Sequence, residues 1–214
     1  YLSDLVYTVG MNKTKKNDEI KLCGLNTCLT YFKTQPKGLI RLYFEKKRQK
    51  EVKTLVEYCV KMRLAYHQVT DQELEKISES KHHEGICILV DKPKLSSLDE
   101  LFSKKSKGFF LCLEGVENPH NLGAIIRSAA HFGVDGVVIT KTMPHLTSSF
   151  FRVSEGGAFF VPIAYVPSMD ELIKKAKTNG ITVYSTSSHQ GEKLYSIKLP
   201  EKIIFVMGAE GDGV

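Results

Sequence analysis

The sequence predicts an α/β protein in two parts, a small α/β domain followed by a second domain built on a parallel sheet. Three observations carry this. Short apolar runs alternate with helix-spaced segments along the chain. After residue 108 the apolar runs become continuous, as in strands buried on both faces. Between the two parts, Asp91 to Gly108 is rich in Pro, Ser and Lys, the composition of a linker. The expected limits are a polar lead over 1–18, a first domain over 19–90, a linker over 91–108 and a second domain over 109–214.

In the first part, "IKLCGLNTCLTYF" reads as a short strand, a glycine and a helix from about Leu25. "GLIRLYF" is strand-like. Lys46 to Met62 places Val52, Leu55, Val56, Cys59 and Val60 at helical spacing. "LAYHQV" is the next strand, and Thr70 followed by Glu73 predicts a capping box that opens a helix. "GICILV" has the length of a buried strand. Within the linker, Ser97 caps one short helix.

In the second part, "GFFLCLEG" is a buried strand, and Asn118 to Gly133, "NPHNLGAIIRSAAHFG", is a helix ending at a glycine. "GVVIT" and "FVPIAYV" are strands, the latter after a Gly-Gly bend. Met169 to Lys177 is an amphipathic helix, "ITVYSTSS" a strand, and "KIIFVMG" a last strand running into "AEGDGV". Ligands of such sheets bind at the carboxyl ends of the strands, which directs attention to the exits "EGVENPHNLG", "STSSHQG" and "GAEGDG".

Composition removes several classes. At 214 residues, 42% hydrophobic and 25% charged, the chain is globular and long enough for a core. No window of 18 apolar residues crosses a membrane, and the N-terminus does not resemble a signal peptide. Five scattered cysteines without a CxxC pair read as reduced thiols of a cytoplasmic protein. Neither GxGxxG after a strand nor GxxxxGK[ST] is present, and Ser188-His189 lacks a GxSxG setting. His82-His83 near Cys87 has no metal spacing, so no metal is expected.

Charge divides unevenly. Residues 1–108 hold 21 Lys+Arg against 14 Asp+Glu, and residues 109–214 hold 9 against 10. The run "EKKRQKEVK" concentrates Lys46, Lys47, Arg48 and Lys50, candidates for an RNA grip, although such a run also suits a solvated helix face. Arg127 alone is as consistent with a helix residue paired to Glu114 or Glu117 as with a site residue.

Taken together, "NPHNLGAIIRSAAHFG", "RVSEGGAFFVPI" and "VMGAEGDGV" resemble the SpoU (TrmH) family of RNA 2′-O-methyltransferases. The first matches that family at Asn121, Gly123, Arg127, Ser128, Ala129, Phe132 and Gly133; the last matches at Gly208, Glu210, Gly211 and Gly213. The first half resembles the L30e-like substrate domain found before the catalytic one. Details such as "HHEGIC" and "STSSHQGEKLY" are similar to a YfiF-like tRNA/rRNA methyltransferase branch. Two features depart from the pattern. Asn118 stands where the family commonly has Asp, which is expected to alter the turn before the helix. The family's third motif, a strand and loop leading into a last helix, has no counterpart before Val214; the expectation is an ordered part of a longer protein, inactive in this form.

The resemblance implies a Rossmann-like parallel-sheet SPOUT domain with a trefoil knot, incomplete here, binding S-adenosylmethionine through Thr186, Met207, Gly208, Ala209, Gly211 and Gly213. It also implies a homodimer through the catalytic domain acting on tRNA or rRNA. Chemistry would rest on Arg127, Asn121 and Glu210. The turn formed by Pro119 and Asn121-x-Gly123 is expected to admit the substrate backbone to the helix start. Arg127 would stabilise the developing 2′-oxyanion, since a guanidinium hardly deprotonates. Asn121 would hold the ribose or orient Arg127, and Glu210 would brace Arg127 or accept a ribose proton. The alternative is an RNA-binding protein of the same fold without catalysis.

Overall fold

The computed structural model describes residues 18–103, 107–186 and 191–208. The chain divides into two compact units between Pro93 and Lys94.

The first unit runs β1 (Glu19–Cys23), α1 (Leu25–Thr34), β2 (Leu39–Phe44), α2 (Lys53–Met62), β3 (Ala65–Gln68), α3 (Asp71–Ser78) and β4 (Ile86–Asp91). Its sheet has the order β1-β4-β2-β3; β4 is antiparallel to β1 and β2, whereas β2 and β3 are parallel. Leu22, Leu42, Ile86, Ile88 and Val90 are buried with Leu55, Cys59 and Leu74 of the helices. The Thr70 capping box is present in both halves, Glu73 N–H donating to the Thr70 hydroxyl and Thr70 N–H to the Glu73 carboxylate.

One boundary differs from the sequence expectation. The helix expected from Lys46 begins at Lys53, and Lys46–Arg48 form a separate 3-10 turn. The cause is Arg48, whose Nε donates to the Glu84 carbonyl at 2.8 Å and whose Nη1 meets Glu51 at 3.0 Å. These bonds pin residues 45–51 to the turn before β4.

The second unit runs α4 (Leu98–Ser103), β5 (Gly108–Glu114), α5 (Pro119–His131), β6 (Gly136–Thr140), α6 (Ser148–Val153), β7 (Ile163–Tyr165), α7 (Met169–Thr178), β8 (Thr182–Ser185) and β9 (Lys202–Gly208). The sheet order is β7-β6-β5-β9-β8 and every pair is parallel, as the continuous apolar runs predict. One face buries Phe110, Cys112, Val138, Ala164, Ile204 and Val206 against α4 and α7. By the two-residue alternation of a strand, Leu113, Val137 and Ile139 point to the opposite face.

The stretch expected as a linker is divided. Ser97 caps α4 as expected, with Glu100 N–H donating to its hydroxyl at 3.2 Å. Leu98, Leu101 and Phe102 of that helix lie in the core of the second unit. Divided at Pro93, the charge becomes 17 Lys+Arg against 12 Asp+Glu in the first unit and 13 against 12 in the second. Among the described residues, no helix is long and apolar enough to cross a membrane. The knot is expected to involve the residues that follow β9, and those from 209 on lie outside the described residues.

Candidate active site

The strand order reverses direction between β5 and β9. The chain leaves β5 toward β6 and β7 on one side, then returns to the other side as β8 and β9. Such a switch point opens a crevice at the carboxyl ends of the strands. Here Glu114, the last residue of β5, lies level with Gly208 of β9 and Thr140 of β6. Lys141 reaches Glu114 at 3.3 Å. Thr186, just past β8, gives both its N–H (3.1 Å) and its hydroxyl proton (3.0 Å) to the Val206 carbonyl. Its side chain therefore anchors the exit of β8 on β9. Met207 is 43% exposed beside it. Ala209, Glu210, Gly211 and Gly213 lie outside the described residues.

Helix α5 starts at this edge and runs back along the sheet. Asn118 is its N-cap, accepting from the His120 N–H at 2.8 Å, and Pro119 occupies the first turn. Asn and Asp cap helices about equally well, so the substitution of Asn for Asp leaves the turn supported. Asn121 and Gly123 are not a turn. Both are helical, and Gly123 is buried where a Cβ would meet the Phe150 carbonyl at 2.9 Å and Val153 Cβ at 3.0 Å. The glycine thus permits close packing of α5 on α6, which His120 reinforces through Ser149 at 3.2 Å. It does not serve to admit a substrate backbone.

Arg127 stands eight residues beyond Pro119, about 12 Å along the axis at 1.5 Å per residue. It is exposed, and its Nη1 donates to Glu155 Oε1 at 2.8 Å. Its partner is neither Glu114, which holds Lys141, nor Glu117, which accepts from the Thr142 hydroxyl at 2.7 Å. Arg127 and Glu155 line an open cleft of about 510 Å³ together with Ser128, His131, Phe132 and Phe160. Phe132 and Phe160 are 77% and 59% exposed. The loop bearing Glu155 can approach because Gly157 has no side chain; a Cβ there would meet Arg127 Cα at 3.1 Å and the Ile126 carbonyl at 3.2 Å. Sequence reasoning missed Glu155 and Gly157. Their signal is "RVSEGGAFFVPI", which carries the resemblance without naming a partner for Arg127.

The expected residues are therefore not gathered in one place. Asn121 is exposed on α5, six residues and about 120° around the helix from Arg127, too far to orient it directly. Thr186, Met207 and Gly208 sit at the carboxyl edge, whereas the cleft around Arg127 contains none of them. In the first unit, Lys46, Lys47 and Lys50 are exposed, but Lys47 pairs with Glu45 at 2.8 Å and Arg48 is the structural bolt already described.

One further cluster forms among the described residues. Ligand-type atoms of Glu45, Asp71 and His83 lie within 4.8 Å of one another. His83 Nδ1 accepts from the Gly85 N–H at 3.1 Å, which assigns the proton of the neutral ring to Nε2, 3.5 Å from Asp71. A metal on Nε2 would require the proton on Nδ1, facing another donor. With Lys47 already on Glu45, the cluster is a polar joint between the start of α3 and the turns that carry Glu45 and His83.

Residues 108–214 match the SpoU rRNA Methylase family, and residues 21–96 match RNA 2′-O ribose methyltransferase substrate binding. The uncharacterized tRNA/rRNA methyltransferase YfiF of Escherichia coli O157:H7 is 32% identical over 203 residues, covering 94% of this chain and 59% of that protein. The 23S rRNA (guanosine-2′-O-)-methyltransferase RlmB of Shewanella oneidensis is 32% identical over 205 residues, covering 94% of this chain and 82% of that protein. The chain thus spans 59% of the length of YfiF, and 57% of that of a Haemophilus influenzae tRNA/rRNA methyltransferase. Two solved structures share the fold at 18% identity and a TM-score of 0.76. They are an AdoMet-bound rRNA methyltransferase from Sinorhizobium meliloti, covering 93% of this chain and 74% of that one, and AviRb from Streptomyces viridochromogenes with AdoMet, covering 96% and 78%.

Proposed function

Because the chain belongs to the SpoU rRNA methylase family, we propose that it carries out S-adenosylmethionine-dependent 2′-O-methylation of a ribose in tRNA or rRNA. The observation that carries this reading is the β5/β9 switch point of the parallel sheet, from whose carboxyl edge α5 runs to an exposed arginine held by a carboxylate. The residues of this carboxyl edge suit the cofactor. Met207 offers an exposed apolar surface for a flat ring, and Gly208 brings backbone without a Cβ beside Glu114. When bound, S-adenosylmethionine supplies an electrophilic methyl group on a sulfonium. Thr186, Met207 and Gly208 would hold it, Thr186 by fixing the exit of β8.

Arg127 contributes charge. An exposed ion pair adds at most about 1 kcal/mol to stability, so the Arg127–Glu155 pair is poorly explained as a fold-stabilising device. It is better explained as orientation: Glu155 holds one nitrogen while the rest of the fork faces the cleft, where it can meet a phosphate and the developing 2′-oxyanion.

The distance between this cleft and the carboxyl edge bears on assembly. Among the described residues, the cleft that holds Arg127 contains neither Met207 nor Gly208, which favours a site completed by a second surface. We assign it to a second copy of the chain, paired through the catalytic unit over the face that exposes Phe132 and Phe160. Five free, buried cysteines suit a reducing cytoplasm.

The test is methyl transfer from labelled S-adenosylmethionine to bulk tRNA and rRNA by the full-length protein, with nucleoside mass spectrometry to locate the methyl. A 2′-O-methylated nucleoside that disappears in Arg127→Ala supports the proposal. RNA binding without any transfer, with the protein folded and cofactor present, overturns it in favour of a non-catalytic RNA-binding role.

A further inference from the structure

Among the described residues, helix covers only half of one face of the first unit's sheet. Helix α3 packs on β1 and β4, and the Lys21–Glu79 ion pair ties its end over the face that carries Lys21, Cys23 and Cys87. On that same face, further along the sheet, β2 and β3 present Arg41, Tyr43, Ala65 and His67, all half-buried. Tyr43 and His67 are register partners, with ring centroids 5.5 Å apart and planes inclined by 21°. Arg41 Nη1 donates to the Tyr43 hydroxyl at 3.1 Å.

Three details make this more than an ordinary cross-strand pair. β3 is the edge strand, so among the described residues no strand lies beyond the His67 ring face turned away from Tyr43. The Tyr43 oxygen accepts from Arg41, which leaves its own proton to donate, and among the described residues it meets no acceptor. The Arg41 Nε is buried without a hydrogen-bond partner, a cost that a structure rarely bears without reason. The unit around this face is basic, with 17 Lys+Arg against 12 Asp+Glu.

We propose that His67 and Tyr43, braced by Arg41, form a stacking platform for an unpaired base of the RNA substrate. The proposal rests on the RNA-methylation reading and adds where and how the first unit holds its RNA. Flat rings on an open sheet edge bind splayed bases, whereas a duplex keeps its bases stacked inside. The Tyr43 hydroxyl supplies a donor to a base or phosphate acceptor. Ala65, two residues before His67 on β3 and opposite Arg41, adds no bulk beside the rings.

The experiment measures fluorescence anisotropy of a labelled single-stranded oligoadenylate, of its duplex with oligouridylate, and of bulk tRNA with the full chain. His67→Ala, shown folded by circular dichroism, is expected to weaken single-strand binding about 5- to 100-fold and to leave duplex binding unchanged. His67→Phe, which loses the same imidazole but keeps a ring, is expected to bind within about threefold of wild type. Equal single-strand affinity in His67→Ala and wild type overturns the platform, as does a parallel loss for strand and duplex. A wild-type chain that binds tRNA but not oligoadenylate overturns the platform alone; one that binds neither overturns the RNA reading as well.

Discussion

Gly157 lies against Arg127 so closely that a Cβ on the glycine would sit 3.1 Å from Arg127 Cα and 3.2 Å from Ala130 Cβ. That approach brings Glu155 within 2.8 Å of the guanidinium. The neighbours are helix backbone and a short side chain, so an added methyl can be relieved only by moving the loop. Gly157→Ala is expected to lower stability by about 1–3 kcal/mol, as overpacking does, and to displace Glu155. Thermal melting reads the first effect. Methyl transfer, measured below the melting transition, is expected to fall with cofactor affinity kept. A variant as stable and as active as wild type would show that this contact is not needed.

Arg127 is expected to act on transfer and not on cofactor binding, because its cleft contains none of the carboxyl-edge residues. Arg127→Ala is expected to reduce kcat by more than tenfold with cofactor affinity nearly unchanged by calorimetry. Arg127→Lys is expected to be almost as damaging, since a point charge does not reproduce a planar fork shared between Glu155 and a substrate. Glu155→Gln keeps a hydrogen-bond acceptor and is expected to be milder. Collapse of cofactor binding in Arg127→Ala would make the arginine structural.

The cysteines set the alkaline limit of the fold. Burial pushes the thiols of Cys87 and Cys112 up to about 12 and that of Cys59 up to about 11, from an ordinary 9.0. Burial likewise raises Cys28 and lifts the Tyr31 phenol to about 12. A folded-state pKa above the unfolded value means that unfolding releases protons at high pH. The stabilisation is complete below about pH 9 and is lost as pH rises from there toward 12. Urea midpoints are expected to hold from pH 7 to 9 and then fall steadily. The same burial predicts that a thiol reagent labels these four cysteines only after denaturation; rapid labelling of the native protein would contradict it.

How much of this was legible depends on the length of the signal. The nine strands of the described residues follow from short apolar runs, the parallel order of the second sheet from the continuity of those runs, and the Thr70 and Ser97 caps from side-chain chemistry local to four residues. Helix α6 escapes because six residues are too few for periodicity to emerge. The start of α2 is misplaced because Arg48 takes its partners from Glu84, 36 residues away. The same limit governs the site. Arg127 is identifiable from its helix, but its carboxylate comes from 28 residues downstream across a glycine contact that no local pattern encodes. Gly123 departs from the sequence expectation for the converse reason: Asn-x-Gly suits a turn by local preference, and only the packing of α6 shows it to be a helix–helix contact.

The basic run of the first unit makes two different predictions within five residues. Lys46 and Lys50 are exposed, and among the described residues no ion pair involves them. Arg48, by contrast, donates to the Glu84 carbonyl and pairs with Glu51, so its charge is already employed in holding the turn before β4. If the run grips RNA, each lysine that neutralises a phosphate releases counterions, and log affinity falls with log salt by nearly one unit of slope per contact. Changing Lys46 and Lys50 together to Gln is expected to reduce that slope by about 1–2 and to weaken RNA binding at low salt, with melting temperature and cofactor affinity unchanged. Arg48→Gln is expected to do the reverse, lowering the melting temperature while altering the slope little. Filter-binding titrations over a range of salt concentrations, beside melting curves, separate the two. An unchanged slope in the double lysine variant would mean that these residues form only a solvated turn, and the phosphate contacts would then have to come from elsewhere on the chain.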